Sequence, residues 1–362
     1  MRFDALAIVD ALHADNPASS TALGHLDLRL SGTAGRLFGG SATTFRLEAL
    51  ADYGGKANER VGTLQGLSNI EVRRSATRLY AAWVQHAFSP GVDVLAGLYD
   101  LNSEFYATDA SSLLIHPAFG AGAELAQTGK NGPSIFPDLA VGVRVRARSQ
   151  HGAYGQAVVL AGSAGDADHP GRTVVRIDRH DGALIVGEGG WQARGEGDDG
   201  VGHAGLGLWS YSEPANRLDG RGRASNAGAY VLGEAALGRA GGHRIVGFVR
   251  TGVAAASVDP IAIALDAGLR GERMPNGAGP DAWSFGVALA RLGRPAIAAR
   301  AAQGETALHR TEVTFEVDAR WRLGAGFALQ PLAQHVVHVA GRHASATIVG
   351  VRWVWSLPGA DQ

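Results

Sequence analysis

Between Leu139 and Arg148 the chain reads LAVGVRVRAR, with Val141, Val143, Val145 and Ala147 on one parity and Arg144, Arg146 and Arg148 on the other. Successive side chains of a strand point to opposite faces, so the segment predicts a strand with one oily face and one face of guanidinium groups. The alternation recurs in TEVTFEVDAR, Thr311 to Arg320, where Val313, Phe315 and Val317 oppose Glu312, Thr314, Glu316, Asp318 and Arg320. In Thr44 to Ala51, Thr44, Arg46 and Glu48 oppose Phe45, Leu47 and Ala49; in His25 to Leu30, His25, Asp27 and Arg29 oppose Leu26, Leu28 and Leu30. A wall with oil on one side and charge on the other predicts an all-β fold, a transmembrane antiparallel β-barrel with a wet lumen.

Clusters of Gly, Pro, Asn and Asp delimit sixteen predicted strands, near residues 2–12, 21–31, 42–52, 77–88, 92–100, 139–149, 153–162, 182–193, 203–212, 226–238, 243–253, 260–271, 282–292, 310–321, 324–338 and 344–356. If the first strand runs outward, long connections at 53–76, 101–138, 162–181, 212–225 and 293–309 fall on the outer side. Short turns at 89–91, 150–152, 239–242 and 322–323 fall on the inner side, as in outer-membrane barrels. The connectors at 194–202 and 273–280 are longer than this rule expects, and the one at 258–259 is shorter. Residues 1–362 are assigned to one barrel, with outer loops folded into its mouth and the long loop 101–138 as the expected pore constriction. Trp353 and Trp355, two apart on the last strand, are expected at the inner headgroup level; ordinary core tryptophan is the alternative.

Composition narrows the partners. Hydrophobic content of 46%, charged content of 19% and a mean hydropathy of zero resemble a soluble protein, but lipid-facing and lumen-facing residues of a barrel cancel in such averages. No apolar run approaches the roughly 18 to 20 residues of a spanning helix, which excludes a helical membrane protein. A net charge of -1 argues against a nucleic-acid partner. Lys56 and Lys130 are the only lysines among 33 basic residues. Arginine forks suit hydroxyl and carboxylate oxygens, although a GC-rich genome accounts for the bias equally well. The absence of cysteine is compatible with an oxidising periplasm. The opening MRFDALAIVDALHADN carries Asp4 and Asp10 where a signal peptide needs an unbroken apolar core, so either a leader has been removed or the start is artificial.

Reactive chemistry finds little support. His335 and His338 are three apart, which on a strand sends them to opposite faces and argues against a shared metal. The acidic GEGDDG at 195–200 fits a solvated turn better than a calcium site, because no ligand register repeats. His116 with Ser111 or Ser112 and Asp109 has no spacing that favours a hydrolase triad. No enzyme activity, cofactor or metal is expected.

Several segments resemble the carbohydrate-selective porin family, the OprB-like outer-membrane porins. LYAAWVQHAF at 79–88 and VLAGLYDLNSEF at 94–105 look like that family's paired strands running into its long third loop. FGAGAELAQTGKNGPSIFPDLAVGVRVR at 119–146 carries the most specific piece, GPSIFP before a basic strand. NAGAYVLGEAAL, GFVRTGV, SVDPIAIALDAGLRG, TEVTFEV and LQPLAQHV follow in order between residues 226 and 336. The resemblance implies a sixteen-stranded barrel in the outer membrane of a Gram-negative bacterium, passing mono- or small oligosaccharides inward. By position it places Asn102, Glu104 and Asn131 in the constriction loop, and Arg144, Arg146, Glu312, Glu316, Gln330 and Gln334 on matching strands. The chain departs from the family at Ala81 and Gln85, where acidic residues are usual, and in the tail SLPGADQ, which runs past the usual terminal aromatic residue.

The expected function is a passive sugar channel whose partners are small sugars and the lipid bilayer, as trimer or monomer. A sugar presents many hydroxyls and no net charge, so a selective pore needs paired donors and acceptors rather than a field of one sign. The expected substrate pathway is Arg46, Glu48, Arg144, Arg146, Arg148, Glu312, Glu316, Gln330 and Gln334, with the arginine ladder facing the carboxylates of TEVTFEV. Two competing readings stand beside it: arginines that only keep a wide lumen wet, and loop residues that only staple loop to wall. From another class, the competing function is a plugged or general-diffusion barrel serving as a binding or structural module, or as a partner in polysaccharide export.

Overall fold

In a computed structural model of the chain, which describes residues 1–35, 42–166, 168–169, 171–193, 202–306, 308–324 and 326–357, sixteen strands close an antiparallel barrel. They are β1 (Arg2–Asp15), β2 (Ala18–Thr33), β3 (Thr43–Gly54), β4 (Ala76–Ser89), β5 (Val92–Tyr99), β6 (Ala140–Arg148), β7 (Ala153–Ala161), β8 (Ala183–Gln192), β9 (Gly202–Tyr211), β12 (Ala227–Ala240), β13 (His243–Ala254), β14 (Ile261–Arg273), β15 (Ala282–Leu292), β16 (Thr311–Gly324), β17 (Phe327–Val337) and β18 (Ser345–Ser356). β10 (Ala215–Asn216) and β11 (Arg223–Ala224) form a separate small ladder in an outer connection. Each strand pairs with its barrel neighbours in sequence, and β18 returns to β1, setting Leu6 opposite Ser356 and Ala14 opposite Ile348. Closure leaves no unpaired edge to face hydrocarbon. The GEGDDG turn and the tail from Pro358 lie outside the described residues.

The outward parity is apolar and exposed: Val143 and Val145 on β6, Ile185 on β8, Leu206 and Leu208 on β9, Val249 on β13, and Phe315 and Val317 on β16. Only a bilayer covers such a band without cost. At the rim with the short turns, Phe88, Trp191, Trp321, Phe327 and Trp353 are exposed on the same outer face, with the Phe327 and Trp355 rings 6.4 Å apart. Amphipathic and bulky rings at one level form the interfacial girdle that holds a barrel at its depth.

Three departures from strict alternation matter for the lumen. β1 and β2 extend farther outward than their pattern predicts, because Asn16 and Pro17 alone make the turn. On β4 the register shifts: Ala81 pairs with Glu48 while Leu79 pairs with Ala49, so Tyr80 is an extra residue and both Tyr80 and Ala81 face inward. Short helices occupy outer connections that the pattern leaves as plain loops: α1 (Ala57–Val61), α2 (Ala123–Ala126) and α3 (Arg294–Ala302).

The long connection between β5 and β6 folds inside the barrel against one half of the wall. There the inward parity is largely apolar. Val158, Leu160, Leu184, Val186, Trp209, Tyr230 and Leu232 pack with Phe105, Tyr106 and Leu125 of the loop. The loop therefore covers an apolar patch of the inner wall, interrupted by Gln156, Glu188 and Glu234, while the strands from β18 to β4 border open space.

Candidate functional site

The loop is held by carboxylates projecting from the wall. Glu188 on β8 accepts the Tyr106 backbone N–H at 2.9 Å, Glu234 on β12 accepts that of Ala110 at 2.9 Å, and Glu316 on β16 accepts those of Ile115 and His116 at 2.6 and 2.9 Å. Opposite in charge but equal in task, Arg250 on β13 donates to the carbonyls of Tyr106, Gly120 and Ala118 at 3.0, 2.6 and 2.7 Å. A loop with little regular structure carries backbone donors and acceptors that burial would orphan, and these wall groups satisfy between one and three of them each. Where the loop presses hardest, the wall is glycine. A Cβ on Gly252 would lie 1.7 Å from Glu124 Oε1, and one on Gly286 would lie 2.5 Å from the Phe119 ring.

The arginine ladder is part of this fastening. Arg144 is fully buried, pairing with Asp93 on β5 and donating to both oxygens of Glu104, at 2.8 Å from Nε and 3.0 Å from Nη2. Arg146 also pairs with Glu104 and donates from Nε to Gln156 at 2.8 Å, while Arg148 is exposed at the inner rim. The partners of the ladder are thus Glu104 and Asp93 rather than the carboxylates of TEVTFEV. Glu312 is fully buried and accepts the N–H groups of Leu64, Gln65 and Ala340, which ties two further outer connections to β16. Gln330 donates to the Leu113 carbonyl at 2.8 Å, and Gln334 donates to Leu67 at 2.9 Å and to Glu316 at 3.0 Å. Of these six, Arg144, Arg146, Glu312, Glu316, Gln330 and Gln334, none borders either of the two lumen cavities formed by the described residues. In the loop, Asn102 donates to the carbonyls of Phe105 and Gly120, and Asn131 to that of Ala164 at 2.6 Å. Ser111 Oγ donates to the Phe119 carbonyl at 2.8 Å, and burial pushes the His116 imidazole down to about 3.

Among the described residues, two cavities lie along the lumen. An outer vestibule of about 640 Å³ is bordered by the 54–76 connection and by the long loop, including Asn102 and Asn131. An inner chamber of about 380 Å³ is bordered by the inward faces of β18, β1, β2, β3 and β4, with Ser112 and Phe136 from the loop and Arg320 from β16. Asn69, Asp100 and Phe136 border both, so these residues stand between the two spaces. Asp100 accepts from the Tyr80 hydroxyl at 2.7 Å and from the Asn102 N–H at 2.9 Å. Burial pushes its carboxyl up to about 6, against the pull of those two donors. Phe136 stands with its ring 5.8 Å from that of His25 and 6.2 Å from that of Tyr80.

Charge in the chamber is divided between its sides. On β2 and β3, Arg29 reaches Asp27 at 2.5 Å and Glu48 at 3.2 Å, while Arg46 stands 3.7 Å from Glu48 and lies over the Trp83 ring at 5.4 Å. Across the chamber, Arg352 on β18 forks onto Asp10 at 2.7 and 2.8 Å and donates to Asn69 at 2.7 Å. Arg320 donates at 3.0 and 2.8 Å to neutral Gln330, and among the described residues no carboxylate stands within ion-pair distance of it. Donors, acceptors and aromatic faces together suit a polyol ring, which offers hydroxyls at its edge and C–H groups on its face.

Glu48 and Arg46 were expected in the pathway by parity, and Glu48 borders the chamber. Arg320, Arg352 and Asp27 carry the same parity signal, Arg352 through its outward neighbours Val351 and Trp353. Tyr80 is hidden from alternation by the register shift on β4. Asn69, Asp100 and Phe136 lie in loops, and no periodicity marks them.

Residues 18–357 match the carbohydrate-selective porin, OprB family. Among solved structures, the barrel is similar to a high-pH structure of Pseudomonas putida OprB, with a TM-score of 0.83 at 15% identity over 98% of this chain and 93% of that one. A low-pH structure of the same protein gives 0.57 at 13% identity, covering 98% and 91%. A triple mutant of the Rhodopseudomonas blastica porin gives 0.53 at 11% identity, covering 98% and 99%. A sequence search of curated proteins finds no match. A closed sixteen-stranded barrel with a lipid-covered exterior, an inward-folded loop and a family match over nearly its whole length have one reading: this chain belongs to the OprB family of carbohydrate-selective porins, passive sugar channels of the bacterial outer membrane.

Proposed function

We propose that a mono- or small oligosaccharide enters at the vestibule, passes between Asn69, Asp100 and Phe136, and crosses the chamber along Asp27, Arg29, Glu48, Arg320 and Arg352. The observation that carries this reading is that the vestibule and the chamber share Asn69, Asp100 and Phe136 in their walls, next to a chamber that holds both charges. In this reading Arg144, Arg146, Glu104, Glu312, Glu316, Gln330 and Gln334 act indirectly, by fixing the loop that sets the bore. Both signs within one small space let hydroxyls exchange partners along the path without trapping an ion, and weak repeated contacts keep flux high. Phe136 and Tyr80 add an apolar face for the sugar ring.

Liposome swelling tests the reading. Glucose is expected to enter faster than amino acids of similar size, and Glu48→Gln with Arg320→Gln is expected to narrow that difference. Equal rates for sugars and amino acids in the unsubstituted protein would leave a general diffusion pore. The apolar filling between loop and wall supports a second reading, a plugged barrel, for which neither swelling nor bilayer current is expected.

A further inference from the structure

We propose that the outer connection between β7 and β8 is a docking surface for the phosphate-bearing headgroup of an outer-leaflet lipid. β5 stops at Tyr99 where the chain turns into the barrel, and its pairing with β4 begins only at Ala82 and Leu98. The outer end of β4 therefore has one side without a ladder partner. The β7–β8 connection closes this seam: Thr173 Oγ1 donates to the Leu79 carbonyl at 2.7 Å, and a Cβ on Gly171 would lie 2.3 Å from the Ala76 Cβ. Leu98 has the outward parity of Ala82 and Val141, yet it is buried in a crevice with Thr173 and Val174. The strap thus covers the outward Leu98 through Thr173 and Val174, while Asp166 and Gly171 earlier in the same connection border the vestibule. Tyr53, exposed on the neighbouring β3 and hydrogen-bonded to Thr77 at 3.0 Å, marks the headgroup level beside it.

From this seam the chain runs on through Arg172-Thr173-Val174-Val175-Arg176-Ile177-Asp178-Arg179. Val175 and Ile177 are 69% and 75% exposed, and Arg172, Arg176 and Arg179 are exposed around them. Arg176 reaches Asp181 at 3.7 Å, an acid shared with Lys130 at 3.0 Å. Among the described residues, Arg172 and Arg179 have no carboxylate within ion-pair distance. Aliphatic side chains set among guanidinium groups, held against a bilayer-facing wall, have the pattern of an interfacial segment. The aliphatics enter the acyl boundary, and the forks take phosphate oxygens.

The purified channel in detergent is titrated with bisphosphorylated lipid A, with the same lipid after phosphate removal, and with inorganic phosphate, and binding is read by native mass spectrometry. Bisphosphorylated lipid A is expected to bind about tenfold more tightly than the dephosphorylated form. Arg172→Gln, Arg176→Gln and Arg179→Gln together are expected to weaken it about tenfold, and Val175→Ser with Ile177→Ser about threefold, with sugar flux unchanged. The proposal is overturned if the triple variant binds lipid A as tightly as the parent, or if millimolar inorganic phosphate displaces the lipid. It is also overturned if the substitutions alter only the oligomer mass, which would make the strap a contact between copies of the chain.

Discussion

Glu316 on β16 accepts the backbone N–H of Ile115, 201 residues earlier in the chain, at 2.6 Å. This bond, with its neighbour to His116, pins the innermost part of the long loop to the wall. Charge-assisted bonds of this kind contribute roughly 1.5 to 3 kcal/mol each. Glu316→Ala is therefore expected to destabilise the loop by about 3 kcal/mol while leaving the strands paired. In planar bilayers it should raise single-channel conductance and its noise, and in gels without boiling it should lower the temperature at which the folded band is lost. Unchanged conductance would mean that Glu316 does not control the bore.

Glu104 bridges the buried Arg144 and Arg146, and Asp93 supplies the second negative charge through Arg144. Removing one partner of a buried ion pair leaves an uncompensated charge, at a cost of about 3 to 5 kcal/mol. Glu104→Gln should accordingly reduce folded yield and melting temperature more than Arg148→Gln, since Arg148 lies exposed at the rim. Comparable losses in the two variants would remove Arg144 and Arg146 from the fastening.

Asp100 gives the boundary between the two cavities its pH dependence. Its carboxyl, buried and pushed up to about 6, is ionised at pH 7 and gains a proton as pH falls through 6. Because the folded value lies above the usual carboxylate value, the native state binds the extra proton, so this group's contribution to stability rises as pH falls from about 6 to about 4. For transport, the passage loses the negative charge of Asp100 over the same interval. The reversal potential in a potassium chloride gradient should therefore shift toward anion preference between pH 7 and pH 5, and Asp100→Asn should flatten that shift.

The strands were legible because a bilayer penalises outward polar residues, which keeps the outward parity apolar along most strands, with exceptions such as Thr251 and His335. The apolar patch under the loop had a signal as well, in the unbroken run Ala157 to Ala161 on β7, where both parities are apolar. The division of labour among polar residues had none. Glu48 beside water and Glu316 beneath a loop share the same parity and the same residue type, and only the path of the loop separates them. Asp100 and Phe136 depend on that path too, which is set by backbone bonds to residues more than a hundred positions away.

Gly252 marks the limit of what the wall tolerates under the loop. A Cβ there would occupy the place of Glu124 Oε1. Overpacking a close contact costs about 1 to 3 kcal/mol, so Gly252→Ala should lower thermal stability and broaden the distribution of conductance levels. Gly233→Ala, on the outward face of β12 where the nearest atom to a Cβ is 3.6 Å away, should do neither.

The proposed route is tested most directly by thiol labelling, which the absence of native cysteine makes clean. Asp27→Cys and Asn69→Cys are placed in the chamber and at the boundary between the cavities, and Thr314→Cys is placed on β16 under the loop. A water-soluble methanethiosulfonate reagent is applied to single channels in a bilayer while glucose-induced current block is recorded. Asp27→Cys and Asn69→Cys are expected to react within seconds to minutes, with a stepwise fall in current and loss of glucose block, while Thr314→Cys is expected to stay silent. Rapid current loss at Thr314→Cys, with no effect at Asp27→Cys and Asn69→Cys, would contradict the route and place the sugar path along the wall that the loop covers.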